Sequence, residues 1–98
     1  MSLKSVFHED QRLVILRTLA DDMAGLQANE SVLQTVLKAY GHDISRVLVV
    51  SHMKYLEELD LLSLNDISGI LIATLKSRGE DVAAGRATVP GVKRPRAR

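Results

Sequence analysis

The stretch SRVLVVSHMKYLEELDLLSL, residues 45–64, decides how this sequence folds. Its VLVV run would suit a buried strand, but the longer pattern has the period of a helix. One side of that helix would carry Leu48, Val49, His52, Met53, Leu56 and Leu59. The other side would carry Arg46, Val47, Val50, Ser51, Lys54, Glu57 and Glu58. The stretch therefore predicts a helix capped by Ser45, followed from Asp60 onward by a short strand, LLSL.

Two further helices are predicted before this one. The first spans about His8 to Met23, where a stripe recurs at helical spacing: Leu13, Leu16, Leu19, Ala20 and Met23. The second begins with Asn29 or Ser31 as its N-cap and has the stripe Val32, Leu33, Val36, Leu37 and Tyr40. It ends at Gly41, and only residues 41–44 precede the next helix. A short turn with glycine between two amphipathic helices is typical of a helix-turn-helix.

The segments after residue 60 predict a hairpin, a short helix and a tail. LLSL and ILIATL flank NDISG, a five-residue connection that indicates a β-hairpin. Ser77 and Glu80 have capping-box spacing before a short helix that Gly85 ends, and Pro90 and Pro95 disfavour regular structure beyond it. The predicted fold is mainly α with a small β-hairpin. It is a winged helix-turn-helix with three helices, a two-stranded wing and a short C-terminal helix over residues 1–85, and an extended basic tail over residues 86–98.

Three sequence patterns resemble a family of small winged-helix proteins of Mu-like phages and prophages. They are the YGHDISR start of the third helix, its leucine-rich end, and the run GEDVAAGRATVPGVKRPR, so the resemblance covers roughly residues 30–96. One departure is Asp60, where the family pattern has the glycine that ends this helix. Asp adopts the left-handed conformation less readily than Gly, at a cost of about 1 kcal/mol. The resemblance implies a fold and a phage setting, with the cytoplasm of a bacterial host as the expected location, and no firm activity.

The charge of the chain is divided unevenly along its 98 residues. The tail RATVPGVKRPRAR carries five basic residues and no acidic one, which leaves eight basic and 12 acidic residues in residues 1–85. The net charge of +1 is thus the sum of an acidic body at −4 and a basic tail at +5. Such a tail is expected to contact phosphates, to dock on an acidic protein surface, or to serve only as a solubilising end.

The candidate site is an interface with double-stranded DNA. On the third helix it comprises Arg46, Val47, Val50, Ser51 and Lys54, and in the tail Arg86, Lys93, Arg94, Arg96 and Arg98. The cations would contact guanine or phosphate, and the valines would contact thymine methyl groups. Against this interpretation, Glu57 and Glu58 follow on the same helix and the predicted wing tip carries Asp66 without a cation. The alternative is a protein-interaction module of phage assembly or packaging that has lost groove reading.

The sequence points away from catalysis and cofactors. The chain has no cysteine, the three histidines lack metal-site spacing, and neither a GxSxG motif nor a P-loop is present. We therefore expect no enzyme, no metal, no cofactor and no small-molecule substrate. No apolar run approaches the roughly 20 residues of a membrane span, and the N-terminus lacks a signal-peptide pattern. The strand ILIA, apolar on both faces, together with Val47 and Val50, favours a homodimer or another phage protein as partner, unless the first and last helices cover the sheet.

Overall fold

The computed structural model describes residues 1–96, which form four helices and a small three-stranded antiparallel sheet. In chain order the elements are α1 (Leu3–Ala20), β1 (Gln27–Asn29), α2 (Glu30–Ala39), α3 (Arg46–Glu58), β2 (Leu62–Ile67), β3 (Ile70–Leu75) and α4 (Ser77–Ala83). This order is compatible with the predicted winged helix. Within residues 1–96, no helix is long and apolar enough to span a membrane.

The ends of α2 and α3 form as the sequence predicts. Asn29 caps α2 and Ser45 caps α3, each through a side-chain oxygen that accepts a backbone N–H three residues later. Gly41 and Asp60 follow the two helices with φ values of 90° and 63°. The backbone hydrogen bonds on both sides of these residues form Schellman turns. Asp60 thus adopts the left-handed conformation without being glycine, and its carboxylate pairs with Lys76.

The sheet has a third strand that the sequence did not predict. Its strand order is β1-β3-β2, so β3 is central, with Asn29 opposite Ile72 and Leu64 opposite Ala73. The predicted two-stranded wing is therefore corrected to part of a three-stranded sheet. The predicted connection NDISG is also wrong, because β2 continues to Ile67 and only Ser68 and Gly69 form the turn. Both turn residues have positive φ, as a tight hairpin requires.

The core lies between α1, α3 and the inner face of the sheet. The predicted stripe of α3 supplies Val49, His52, Met53 and Leu56, all of them buried. Side chains from the sheet and the other elements complete it: Leu13, Ile15, Leu16, Leu19, Leu33, Leu37, Leu61, Leu62, Ala73, Leu75, Val82, Ala83, Val89 and Val92. The helices cover the inner face of the sheet, which was one of the two arrangements left open by the apolar β3 strand.

Several predicted boundaries and stripe positions are wrong. Helix α1 begins at Leu3 because the Ser2 side chain caps it, and it ends before Met23, which is 94% exposed. Ser77 is the first residue of α4 instead of its cap, because Lys76 occupies the cap position without a side-chain hydrogen bond. The predicted α2 stripe is only half buried, since Val32 and Tyr40 are exposed.

The tail packs on the body of its own chain as far as it is described. Val89 and Val92 belong to the core, and the N–H of Lys93 donates to the carbonyl of Glu9 in α1. A Cβ on Gly85, which follows α4, would lie 3.8 Å from Cγ of Pro95. We call residues 87–93 the C-terminal strap, because they cross from α4 over α3 to α1.

Candidate nucleic-acid interface

The outer face of α3 brings five of the predicted DNA-binding residues together. Ser45 fixes the start of the helix, and the buried stripe holds its inner side, so that the opposite side faces solvent. Arg46, Val47, Ser51 and Lys54 are exposed and Val50 is partly exposed, with Val47 at 80%. These residues cover the first two and a half turns of the helix, roughly the length that a recognition helix presents to a major groove.

Arg46 is held in place by α2. Its Nε donates to Oε1 of Gln34 over 2.8 Å, and one terminal nitrogen lies 3.5 Å from Oε1 of Glu30. Glu30 is largely buried, and its other oxygen accepts the N–H of Leu71 in β3. The guanidinium is therefore oriented, but a carboxylate beside it offsets part of its charge.

The hairpin next to α3 brings an acid and no cation. Residues 61–75 contain Asp66 but neither Lys nor Arg. The Asp66 carboxylate accepts the N–H of Gly69 and so stabilises the turn. Ile67 and Ile70 flank that turn, and both are about half exposed. The tip is thus apolar and acidic, which is unfavourable for phosphate contact.

The tail cations lie beside α1 and α4 instead of α3. Arg86 pairs with Asp81 of α4, and Lys93 pairs with Asp10 of α1. Arg94 and Arg96 are exposed, and no carboxylate of residues 1–96 forms an ion pair with either. The predicted contact through Arg98 lies outside the described residues. The structure therefore does not join the tail cations to the face of α3.

A partly buried network of polar side chains beneath α3 is the main feature that sequence reasoning missed. Asp10 Oδ2 accepts from Nε2 of His42 at 2.7 Å, and Nδ1 of His42 lies 3.3 Å from Nε2 of Gln11. Oε1 of Gln11 lies 2.8 Å from Nε2 of His52, whose Nδ1 accepts from Nε of Arg12. Every partner is satisfied when both imidazoles are neutral and protonated at Nε2. The spacing of these residues in the sequence could not reveal the network, because its members come from α1, from the turn before α3 and from α3 itself.

Burial and neighbouring charges shift the pKa values of His52 and Asp10 in this network. Burial lowers the pKa of His52 from 6.5 to about 4, and the nearby cationic side chain of Arg12 adds to the effect. Burial alone would raise the pKa of Asp10. The hydrogen bond from His42 and the charge of Lys93 outweigh it, so the pKa of Asp10 lies below its ordinary value. Within the described chain, no three His, Cys, Asp or Glu side chains cluster as a metal site would require.

Arg12 also anchors the C-terminal strap. Its guanidinium lies over the ring of Tyr55 at 3.9 Å and donates to the carbonyl of Gly91. The Tyr55 hydroxyl donates to the carbonyl of Pro90. These contacts fix the strap against α1 and α3. The network of polar side chains therefore has a structural role, because it joins α1 and α3 to the C-terminal strap.

We expect Gly91→Ala to lower the free energy of unfolding by about 2 kcal/mol, through the strained φ and the overlap together. Gly91 has a φ of 81°, and an added Cβ would overlap the Tyr55 hydroxyl and lie 2.9 Å from Arg12. Urea unfolding measures the change. Gly85→Ala is the matched control, because Gly85 has the same φ with only Pro95 nearby. Equal losses in the two variants would show that the fit of the strap under Tyr55 contributes nothing.

Two known proteins are similar to this chain over most of its length. The uncharacterized protein gp26 of Escherichia phage Mu is 49% identical over 96 residues, which are 98% of this chain and 98% of gp26. An uncharacterized protein of Haemophilus influenzae is 46% identical over 79 residues, 80% of this chain and 76% of its own length. No family model and no solved structure matches the chain. The identity to gp26 extends over nearly the whole of both chains, and so the protein belongs to the gp26 family of Mu-like phages.

Proposed function

We propose that this phage protein is a winged-helix protein that binds double-stranded DNA and acts as an accessory or regulatory factor by binding, without chemistry. Helix α3 would lie in the major groove, and the β2–β3 hairpin would be the wing. The observation that carries the proposal is the outer face of α3. It is uncovered from Arg46 to Lys54, while the inner face of the same helix is locked in the core.

The side chains of this face suit base edges better than they suit phosphates. Gln34 holds the Arg46 side chain in position, and the guanidinium retains N–H groups that can donate to guanine. Val47 and Val50 are apolar side chains that fit thymine methyl groups. Ser51 and Lys54 can contact either bases or backbone. With only two cations on α3, one of them beside Glu30, we expect weak binding that decreases as salt increases.

Lys54→Glu tests the role of the α3 face. We expect it to weaken binding to a generic DNA duplex about tenfold at low salt, because one phosphate contact is replaced by repulsion. Fluorescence anisotropy across a salt series measures the affinity. Lys4→Glu is the matched control, since Lys4 is an exposed lysine in the first turn of α1. A wild-type protein that does not bind at low salt, or equal effects of both reversals, would contradict the proposal.

The basic tail has to be tested by substitution instead of truncation. Removing residues 86–98 would also remove Val89 and Val92 from the core, so any loss of binding could reflect unfolding. Arg94 and Arg96 are exposed, and replacing both with Gln removes charge without touching the core. If the tail supplies phosphate contacts, the slope of log affinity against log salt will fall by about 2.

Interaction with another phage protein is the second candidate function. The exposed Val47, the pairing of Arg46 with Glu30, and the acids Glu57, Glu58 and Asp66 favour a protein partner over a polyanion. In that case the same face would be used in assembly or packaging. The variant Val47→Glu distinguishes the two functions. If the protein binds another phage protein, Val47→Glu will abolish capture of a phage structural protein, and neither Val47→Glu nor Lys54→Glu will change the affinity for DNA.

A further inference from the structure

One side of the molecule leaves large apolar side chains uncovered, and three of them lie on predicted core stripes. Met23 is 94% exposed, Tyr40 is 70% exposed and Val32 is 47% exposed. Leu3 and Phe7, on the first turns of α1, are 71% and 49% exposed. A small monomer rarely exposes so many large apolar groups on one side, and such a surface usually marks an interface.

Met23, Val32, Tyr40 and Phe7 line a groove along α1 that consists of two neighbouring hollows. Its wider half is lined by α1, α2 and α4, including Val14, Val32 and Tyr40, and encloses about 990 Å³. The narrower half is lined by Phe7, His42 and Lys93. Asp10 lines both halves, so the two hollows meet at this residue. The wider half is large enough to accept a helical turn with its side chains.

The floor of this groove is self-complementary in charge. Asp10 and Arg17 are two turns apart on the same side of α1, about 10.5 Å along its axis. They are equally distant from a point between residues 13 and 14. A two-fold axis through that point would place each Asp10 next to the partner's Arg17, in addition to the pair that Asp10 forms with Lys93 of its own chain.

The same two-fold axis would also fill the wider half of the groove. The apolar N-terminal turn with Leu3, Val6 and Phe7 would lie over the far end of the partner's α1, where Met23 and Val32 border the groove. An exposed apolar end and an apolar hollow thus occur at opposite ends of one face. A second copy in antiparallel orientation would cover both at once.

We propose that this groove is the interface of a homodimer, in which two α1 helices pack antiparallel with their crossing point beside Val14. The surface differs from the outer face of α3, so the dimer does not depend on the proposed DNA binding. It also differs from the strand β3 and the exposed valines of α3 that suggested a homodimer at the level of sequence.

Sedimentation velocity of the full chain in the absence of DNA tests the interface. We expect a concentration-dependent dimer, and dissociation constants raised at least tenfold by Arg17→Glu and by Phe7→Glu. Lys54→Glu and Val47→Glu are the matched controls on α3, and they should leave the dimer unchanged. Circular dichroism and urea unfolding would show that each variant folds. A protein that remains monomeric at millimolar concentration, or a dimer that both groove variants leave intact, would overturn the proposal.

Cross-linking tests the register separately. The chain has no cysteine, so a single introduced cysteine reports on one position. Val14→Cys would lie next to its counterpart at the two-fold axis, and a short bismaleimide should join the two copies in high yield. Thr88→Cys, an exposed position on the strap, should give little product. Equal yields from the two variants would overturn the antiparallel register.

Discussion

Lowering the pH from about 7 to about 5 should reduce the free energy of unfolding by about 2 kcal/mol, because His52 is buried as a neutral imidazole. Its pKa is 6.5 in an unfolded chain and about 4 in the folded protein. In this interval the unfolded chain takes up a proton that the folded protein does not. The stabilisation is therefore complete above pH 6.5 and is lost as the pH falls toward about 4.

Burial is the main reason why His52 stays neutral in this interval, and the position of Arg12 acts in the same direction. Nδ1 of the ring accepts from the Arg12 guanidinium, so a proton on Nδ1 would face an N–H donor that carries a positive charge. Burial also lowers the pKa of His8, with a further contribution from the charge of Arg12, and this acts in the same direction. The lowered pKa of Asp10 affects stability only below its ordinary value of 3.8, outside the interval.

Urea unfolding at several pH values, with the His52→Gln variant alongside, measures the effect. Glutamine can accept from Arg12 but does not titrate, so the variant should lose most of the dependence on pH while being less stable at pH 7. His8→Gln is the control, because it removes the other histidine beside Arg12 whose pKa is lowered, and this variant should keep most of the slope. A wild-type slope in His52→Gln would assign the titration to another group.

The sequence predicted the parts of the fold that local rules determine. Ser45 caps α3, and the buried stripe follows the helical period. Each of these depends on residues within one or two turns of one another. The outer face of α3 could be predicted for the same reason. It lies opposite the apolar stripe, and the helical period of that stripe is visible in the sequence.

The features that sequence reasoning missed depend on distant partners. Strand β1 has three residues and forms only because β3 offers a free edge at Ile72 to Thr74. The strap packs on the helices because Arg12 and Tyr55 contact the segment around Gly91, and Arg12 and Gly91 are 79 positions apart in the sequence. The exposed half of the α2 stripe was misassigned because periodicity marks an apolar face without telling whether the same chain covers it.

Gly79→Ala should be the most destabilising of these glycine substitutions, with a loss of about 3 kcal/mol or more. Gly79 is a buried residue of α4, and its φ is not positive, so alanine should favour the helix there by up to about 1 kcal/mol. An added Cβ, however, would overlap the carbonyl oxygen of Leu61 and lie 2.5 Å from Cδ1 of Leu75. That carbonyl accepts the N–H of Lys76, which leads into α4, so the backbone cannot move away without breaking this bond.

Gly41→Ala provides the matched control, because the two glycines separate steric overlap from backbone strain. Gly41 has a φ of 90° and nothing within 4 Å of an added Cβ, so its replacement should cost only the left-handed conformation, about 1 kcal/mol. If close packing of α4 on the turn after α3 is what requires Gly79, its variant will unfold at a clearly lower urea concentration than Gly41→Ala. Equal midpoints would mean that α4 shifts outward at little cost, and the contact between α4 and Leu61 would then not be needed to hold the hairpin beside α3.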